Sequence, residues 1–174
     1  MFAGGGSSGV YFPFSEAFDD VGDKTRSIIS QMDEGIDLAS LGKTKQAQDV
    51  ITGAIKNMKK VEGGDVDLLQ RLIAKEGESR IALASALWDS GDRQEAESLL
   101  GTACFRLDQL EADAEKRAAA KKSIILPERL QFSIDDQLGA GMSCSRFKNE
   151  KFLAELDWPE PLQKKVIKLQ SLSK

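Results

Sequence analysis

The stretch RIALASALWDSGDRQEAESLLGTA, Arg80 to Ala103, decides how this chain folds. Leu83, Ala84 and Leu87 stand at helical spacing, and Ser90-Gly91-Asp92 is the polar, glycine-centred stop at which such a helix ends. Ala96, Leu99, Leu100 and Ala103 then recur at three- and four-residue steps, so a second helix begins almost at once. Two helices joined by so short a turn lie antiparallel, each hiding its apolar stripe against the other. Ala84, Ala96 and Ala103 keep those stripes low enough for the two backbones to approach.

The same pattern occurs once before. Gly42, Ala47, Ile51 and Ala54 precede Gly91, Ala96, Leu100 and Ala103 by 49 residues, as Gly35 precedes Ala84 and Leu38 precedes Leu87. Six positions in one register mark an internal repeat. Its first helix spans about Lys24 to Leu41 on Ile28, Ile29, Met32, Ile36 and Ala39. Its second runs to about Lys60, where Lys59-Lys60 complements the negative end of the helix dipole, and Gly63-Gly64 breaks the chain. The helix leading into Gly91 starts near Asp65, and Gly77 is expected to kink or interrupt it. The helix after Gly91 continues through Leu107, Leu110 and Ala114 to Lys122. Its alanine-rich, charged far end is expected to project beyond the bundle.

The hairpin resembles a tetratricopeptide repeat. The family's small residue on the first helix falls on Ala84, its turn glycine on Gly91, and its second-helix alanines on Ala96 and Ala103. The family's large apolar positions fall on Leu83, Leu87 and Leu100. Arg80 stands where the family usually has tryptophan, and Asp108 where it often has a closing proline. The 49-residue step exceeds the family's usual 34 or so, so longer helices are expected. The resemblance implies a binding or scaffolding protein. The expected fold is all-α: an antiparallel four-helix, tetratricopeptide-like bundle over residues 23–122, flanked by an extended arm (1–22) and an extended segment with capping helices (123–174).

Both flanks carry aromatic residues. After the glycine-serine run Gly4 to Gly9 comes Val10-Tyr11-Phe12-Pro13-Phe14, three of the chain's eleven aromatic side chains around one proline. This arm either folds back on its own bundle or lies in a groove of another subunit; the glycine-serine run also reads as a linker remnant. Beyond Lys122, Ile124-Ile125-Leu126-Pro127 ends the helix, and Leu130, Phe132 and Ile134 alternate as in a short strand. Gly139-Ala140-Gly141 reads as a loop and lacks the dinucleotide fingerprint. Phe147, Phe152, Leu153, Leu156 and Trp158 gather on a short helix ending at Pro159, and Glu160 to Leu172 forms a last helix on Leu162, Val166 and Leu169. This tail either caps the bundle or anchors in another protein. The candidate partner-binding residues are therefore Tyr11, Phe12, Phe14, Phe147, Phe152 and Trp158.

Composition argues against catalysis. The chain contains no histidine, the commonest general base and metal ligand at neutral pH. No nucleophile elbow or phosphate loop is present, and Asp19-Asp20 and Asp135-Asp136 are only adjacent carboxylates. No enzyme activity, cofactor or metal is expected. Cys104, near its helix's buried stripe, reads as a small core residue, while Cys144 lies in a loop-like stretch. Their spacing leaves a disulfide open and fits no metal motif. Residues 61–115 carry 5 basic and 13 acidic groups, whereas 116–174 carry 12 and 7, an acidic body with a basic tail that does not suit a nucleic-acid-binding core. No apolar run is long enough to span a membrane, and Met1-Phe2-Ala3-Gly4 does not open a secretory signal.

The function expected is that of a non-catalytic accessory, linker or assembly subunit bound to protein subunits of a larger complex. The alternative is a soluble tetratricopeptide-like adaptor for peptide segments of client proteins. The architecture is also similar to small tetratricopeptide-like proteins of chloroplasts, including photosystem-associated ones, and Phe2 resembles the residue at which red-lineage plastid presequences are removed. That likeness implies a thylakoid-associated plastid protein in a photosystem-antenna complex. Without it, the expected location is the cytoplasm.

Overall fold

A computed structural model describes residues 13–61, 66–122 and 143–172. All the regular structure among them is helical, with no strand. The elements are α1 (Pro13–Ser40), α2 (Thr44–Met58), α3 (Val66–Ser90) and α4 (Arg93–Lys122), then a 3-10 turn (Cys144–Lys148), α5 (Glu150–Glu155) and α6 (Glu160–Leu172). The alternation at Leu130, Phe132 and Ile134, and the glycines at 63, 64, 139 and 141, lie outside the described residues.

Both hairpin turns close by the same hydrogen bonds. Gly42 N–H donates to the Ala39 carbonyl at 3.1 Å and Lys43 N–H to that of Leu38 at 3.0 Å. Gly91 N–H donates to Trp88 at 3.1 Å and Asp92 N–H to Leu87 at 3.0 Å, the identical pair shifted by 49 positions. Such a cap needs one residue with positive φ, supplied by Gly42 at 74° and Gly91 at 97°. Asp92 then caps α4, its Oδ1 accepting from Glu95 N–H at 3.4 Å.

The pairing across each hairpin also repeats. A Cβ on Gly35 would lie 2.3 Å from Cγ1 of Ile51, and one on Gly77 would lie 2.5 Å from Cδ2 of Leu107. Adding 49 to 35 and 51 gives 84 and 100, which sum to 184, as do 77 and 107. One antiparallel register therefore serves both hairpins. Gly77 is a contact point and does not interrupt α3, which runs from Val66 to Ser90, and Leu107 fills the space a side chain there would have taken. The same register places position 118 opposite Val66. The far end of α4 thus passes the start of α3 by about one turn.

Gly77→Ala is expected to destabilise by about 2 kcal/mol, because overpacking against a fully buried Leu107 outweighs the roughly 1 kcal/mol gain in helix propensity. Gly101→Ala, with nothing within 4 Å of the new methyl, should instead stabilise by about 1 kcal/mol. Urea titration of both variants checks the register; equal signs would contradict it.

The first helix is longer than its apolar stripe indicated. It begins at Pro13, so residues 13–22 of the expected extended arm are helical, and Asp19-Asp20 lies within α1. Proline suits a first helical turn, where its missing N–H has no partner to lose.

Helix α3 occupies the middle of the fold. Residues 81–87 are buried in succession, including Ser85, whose hydroxyl donates back to the Ala82 carbonyl at 2.7 Å. A helix buried all round requires cover on every side. It is packed by α1, α2, α4 and α6. The cover closes where α1 meets α2, where α6 reaches α1, and where the 3-10 turn bridges α6 to α4. Helices α2 and α4 do not pack closely together, so the ring round α3 is open between them.

Candidate functional site

The opening between α2 and α4 is a groove of about 320 Å³. Ile51 and Ile55 of α2, Leu83 of α3 and Leu99 of α4 line its apolar part. Ile51, the counterpart of Leu100 one repeat later, also packs against Gly35 of α1. Lys56, in the last turn of α2, and Lys59, its C-cap, form one rim, and Glu95 in the first turn of α4 stands on the other. Lys56 and Lys59 are exposed and have no ion-pair partner among the described residues. An apolar floor beneath uncommitted ammonium groups suits an anionic segment carrying a bulky apolar side chain.

Arg80, at the groove's base, is already committed. Its Nε and Nη2 donate to Glu76 Oε1 at 3.1 and 2.9 Å, while Arg106 of α4 donates to Oε2 through Nε at 2.8 Å and pairs with it through Nη2, 2.6 Å away. Glu76, only 2% exposed, is thus held by two guanidiniums, one on its own helix and one across the hairpin.

A second polar set joins the hairpins. Lys75 Nζ lies 3.0 Å from Asp33 Oδ1 on α1 and 2.8 Å from Glu78 Oε2. Burial pulls Lys75 toward its neutral form, but Glu78 and Asp33 together outweigh this and hold its pKa above the ordinary value. Burial pushes the Glu78 carboxyl up, and Lys75 offsets this only in part because Asp33 adds repulsion. These groups fasten α1 to α3 on a side away from the groove.

The residues singled out in the sequence do not form this groove. Tyr11 and Phe12 lie outside the described residues, and of Phe14 only the backbone is described, in the first turn of α1. Phe147 is fully buried, Trp158 is 5% exposed and Phe152 is half-buried. Phe147 meets Phe152 edge-on with ring centroids 5.2 Å apart, and Trp158 at 5.7 Å. These three aromatics pack into the protein's own core and join the C-terminal cap to it, so the tail covers the bundle. Among the described residues, the large apolar side chains left exposed are Leu41, Phe105 and Leu172. They are scattered singly, and Phe105 borders a shallow recess with Ile73 and Leu110.

The groove was not foreseen from sequence. From sequence Lys59 complements the helix dipole and Lys56 carries no signal of its own, and nothing local reveals that α2 and α4 leave a gap. Cys104 and Cys144 are joined in a disulfide, with Cα atoms 4.8 Å apart. Cys144 opens the 3-10 turn within the stretch read as loop-like, and the disulfide that the spacing left open ties it to Cys104, read as a small core residue. Asp108 Oδ1 accepts from Cys144 N–H at 2.9 Å, which seats the turn on α4.

No family model, curated protein or solved structure matches this chain significantly. Among the described residues, no helix is long and apolar enough to cross a membrane. Nor does any group of three or more metal-type side chains gather there.

Proposed function

We propose that this protein is a non-catalytic interaction subunit, an accessory, linker or assembly component that holds an acidic, apolar-anchored segment of a partner protein in the groove between α2 and α4. The observation that carries the reading is the pairing of an apolar floor (Ile55, Leu83, Leu99) with two uncommitted cations, Lys56 and Lys59. Charge attraction would set the rate and selectivity of docking, and the buried apolar anchor its lifetime. The alternative, a soluble tetratricopeptide-like adaptor for peptide segments of client proteins, is less favoured because α6 already lies against α1 and α3. Association with a thylakoid complex is proposed on the helical architecture.

The test is fluorescence anisotropy with a labelled nine-residue peptide of aspartate and glutamate around a Leu-Phe pair. The charge-reversed double variant Lys56→Glu/Lys59→Glu should bind at least about tenfold more weakly. Wild-type affinity should fall as salt rises. Lys45→Glu, whose lysine pairs with Asp49 away from the groove, should bind as wild type. Equal binding by the double variant, or none by wild type, would sink the proposal.

A further inference from the structure

The C-terminal cap is attached to the bundle in a way that its packing alone does not require. It consists of the 3-10 turn, α5 and α6, and its interior is Phe147, Leu153, Trp158, Leu162, Val166 and Leu169. Lys165 pairs with Asp89 near the end of α3 at 3.6 Å, and Gln170 reaches Cys144, which is bonded to Cys104. By the hairpin register, position 104 lies opposite position 80, so α6 runs back along α3 from near Asp89 toward Arg80. The covalent link spans 40 residues of sequence. A crosslink closing so long a loop removes much of the freedom the cap would gain on leaving. Against the cap stands Trp158, whose buried Nε1 finds no acceptor among the described residues, so its desolvation is not repaid by a hydrogen bond.

We propose that Cys104–Cys144 is a redox latch on this cap: a dithiol reductant opens the bond and frees the 3-10 turn, α5 and α6 from α3 and α4 while the two hairpins stay folded. The inference is independent of the groove. Cys104 is the half-buried sulfur and Cys144 the buried one, so the entering thiolate attacks Cys104 Sγ. A mixed disulfide forms there and Cys144 leaves as a thiolate. Gln170 Nε2, 3.6 Å from Cys144 Sγ, donates to that sulfur and stabilises the leaving group. The reductant's second thiol then displaces Cys104, carrying the bond away as the reductant's own disulfide. Two electrons and two protons pass to the protein. Once both cysteines are thiols, the cap is held by its packing, the Lys165–Asp89 pair and the Asp108–Cys144 N–H bond, none of them covalent, and its opening exposes the side of α3 along which α6 lies.

The test uses the full chain, air-oxidised and then reduced with dithiothreitol under native conditions. Intact mass after N-ethylmaleimide should show two added labels only after reduction. Hydrogen exchange should then accelerate in residues 160–172 by up to about a thousand-fold, the loop-closure contribution of the lost crosslink. Exchange at Ile51 and Ala54 should not change. A Cys104→Ser/Cys144→Ser protein should behave as the reduced form with or without dithiothreitol. Labelling before reduction, unchanged exchange in the cap, or equal acceleration in cap and hairpins would each overturn the latch. The last result would make the bond a staple for the whole fold.

Discussion

Replacing Glu76 by glutamine is expected to lower stability by about 3 kcal/mol, the low end of the range for breaking a buried ion pair. The carboxylate is 2% exposed and both oxygens are engaged, Oε1 by Arg80 and Oε2 by Arg106. Guanidinium groups only donate, so the amide's NH2 would face one of them with nothing to accept. The cost stays at the low end because Arg80 and Arg106 side chains retain 16% and 35% exposure and can turn partly to water. For a chain of 174 residues this corresponds to a melting temperature lower by about 6–12 °C. Arg106→Ala should cost less, because Arg80 still neutralises Glu76. Calorimetry of the two single variants tests the ordering; a Glu76→Gln protein within about 1 kcal/mol of wild type would show that the two arginines do not depend on the carboxylate.

Phe147→Ala carries the other large effect, a loss of about 3–5 kcal/mol in the isolated protein. The ring is fully buried, touches Phe152 and Trp158, and sits where the 3-10 turn, α5 and α6 converge. Its removal leaves a cavity that helices tied by a disulfide can close only in part. Were Phe147 instead an anchor presented to a partner, its truncation would leave the isolated chain's stability unchanged and weaken only the complex. Urea titration followed by tryptophan fluorescence distinguishes the two, because Trp158 lies in the cap and Trp88 near the end of α3. An unchanged midpoint would return Phe147 to the interface.

Much of this fold was legible because it rests on short-range chemistry. Gly42 and Gly91 sit at the positions where a helix must reverse with positive φ, and the hydrogen bonds that close each turn reach back only three to five residues. The stripes Ala47-Ile51-Ala54 and Ala96-Leu100-Ala103 make the two hairpins visible as copies. Helix α6 begins at Glu160 as read, since Pro159 and Pro161 restrict the backbone there to an opening turn. The start of α1 was missed because its apolar stripe is clear only from about Lys24 onward.

The sequence by itself determined the helices, their turns and the repeat, because periodicity and glycine act within a few residues of themselves. Only the tertiary structure decided the rest. A glycine that lets Leu107 close in looks, along the chain, like one that breaks a helix. Phe147 and Trp158 would show the same spacing as core or as anchors, and only their packing in the chain's own core distinguishes the two. The bond between Cys104 and Cys144, the burial of Glu76 between two arginines, and the gap between α2 and α4 all depend on which helices meet. Contacts between residues 30 to 40 positions apart leave no periodic mark on the chain, so the groove and the latch appear only when the helices are assembled.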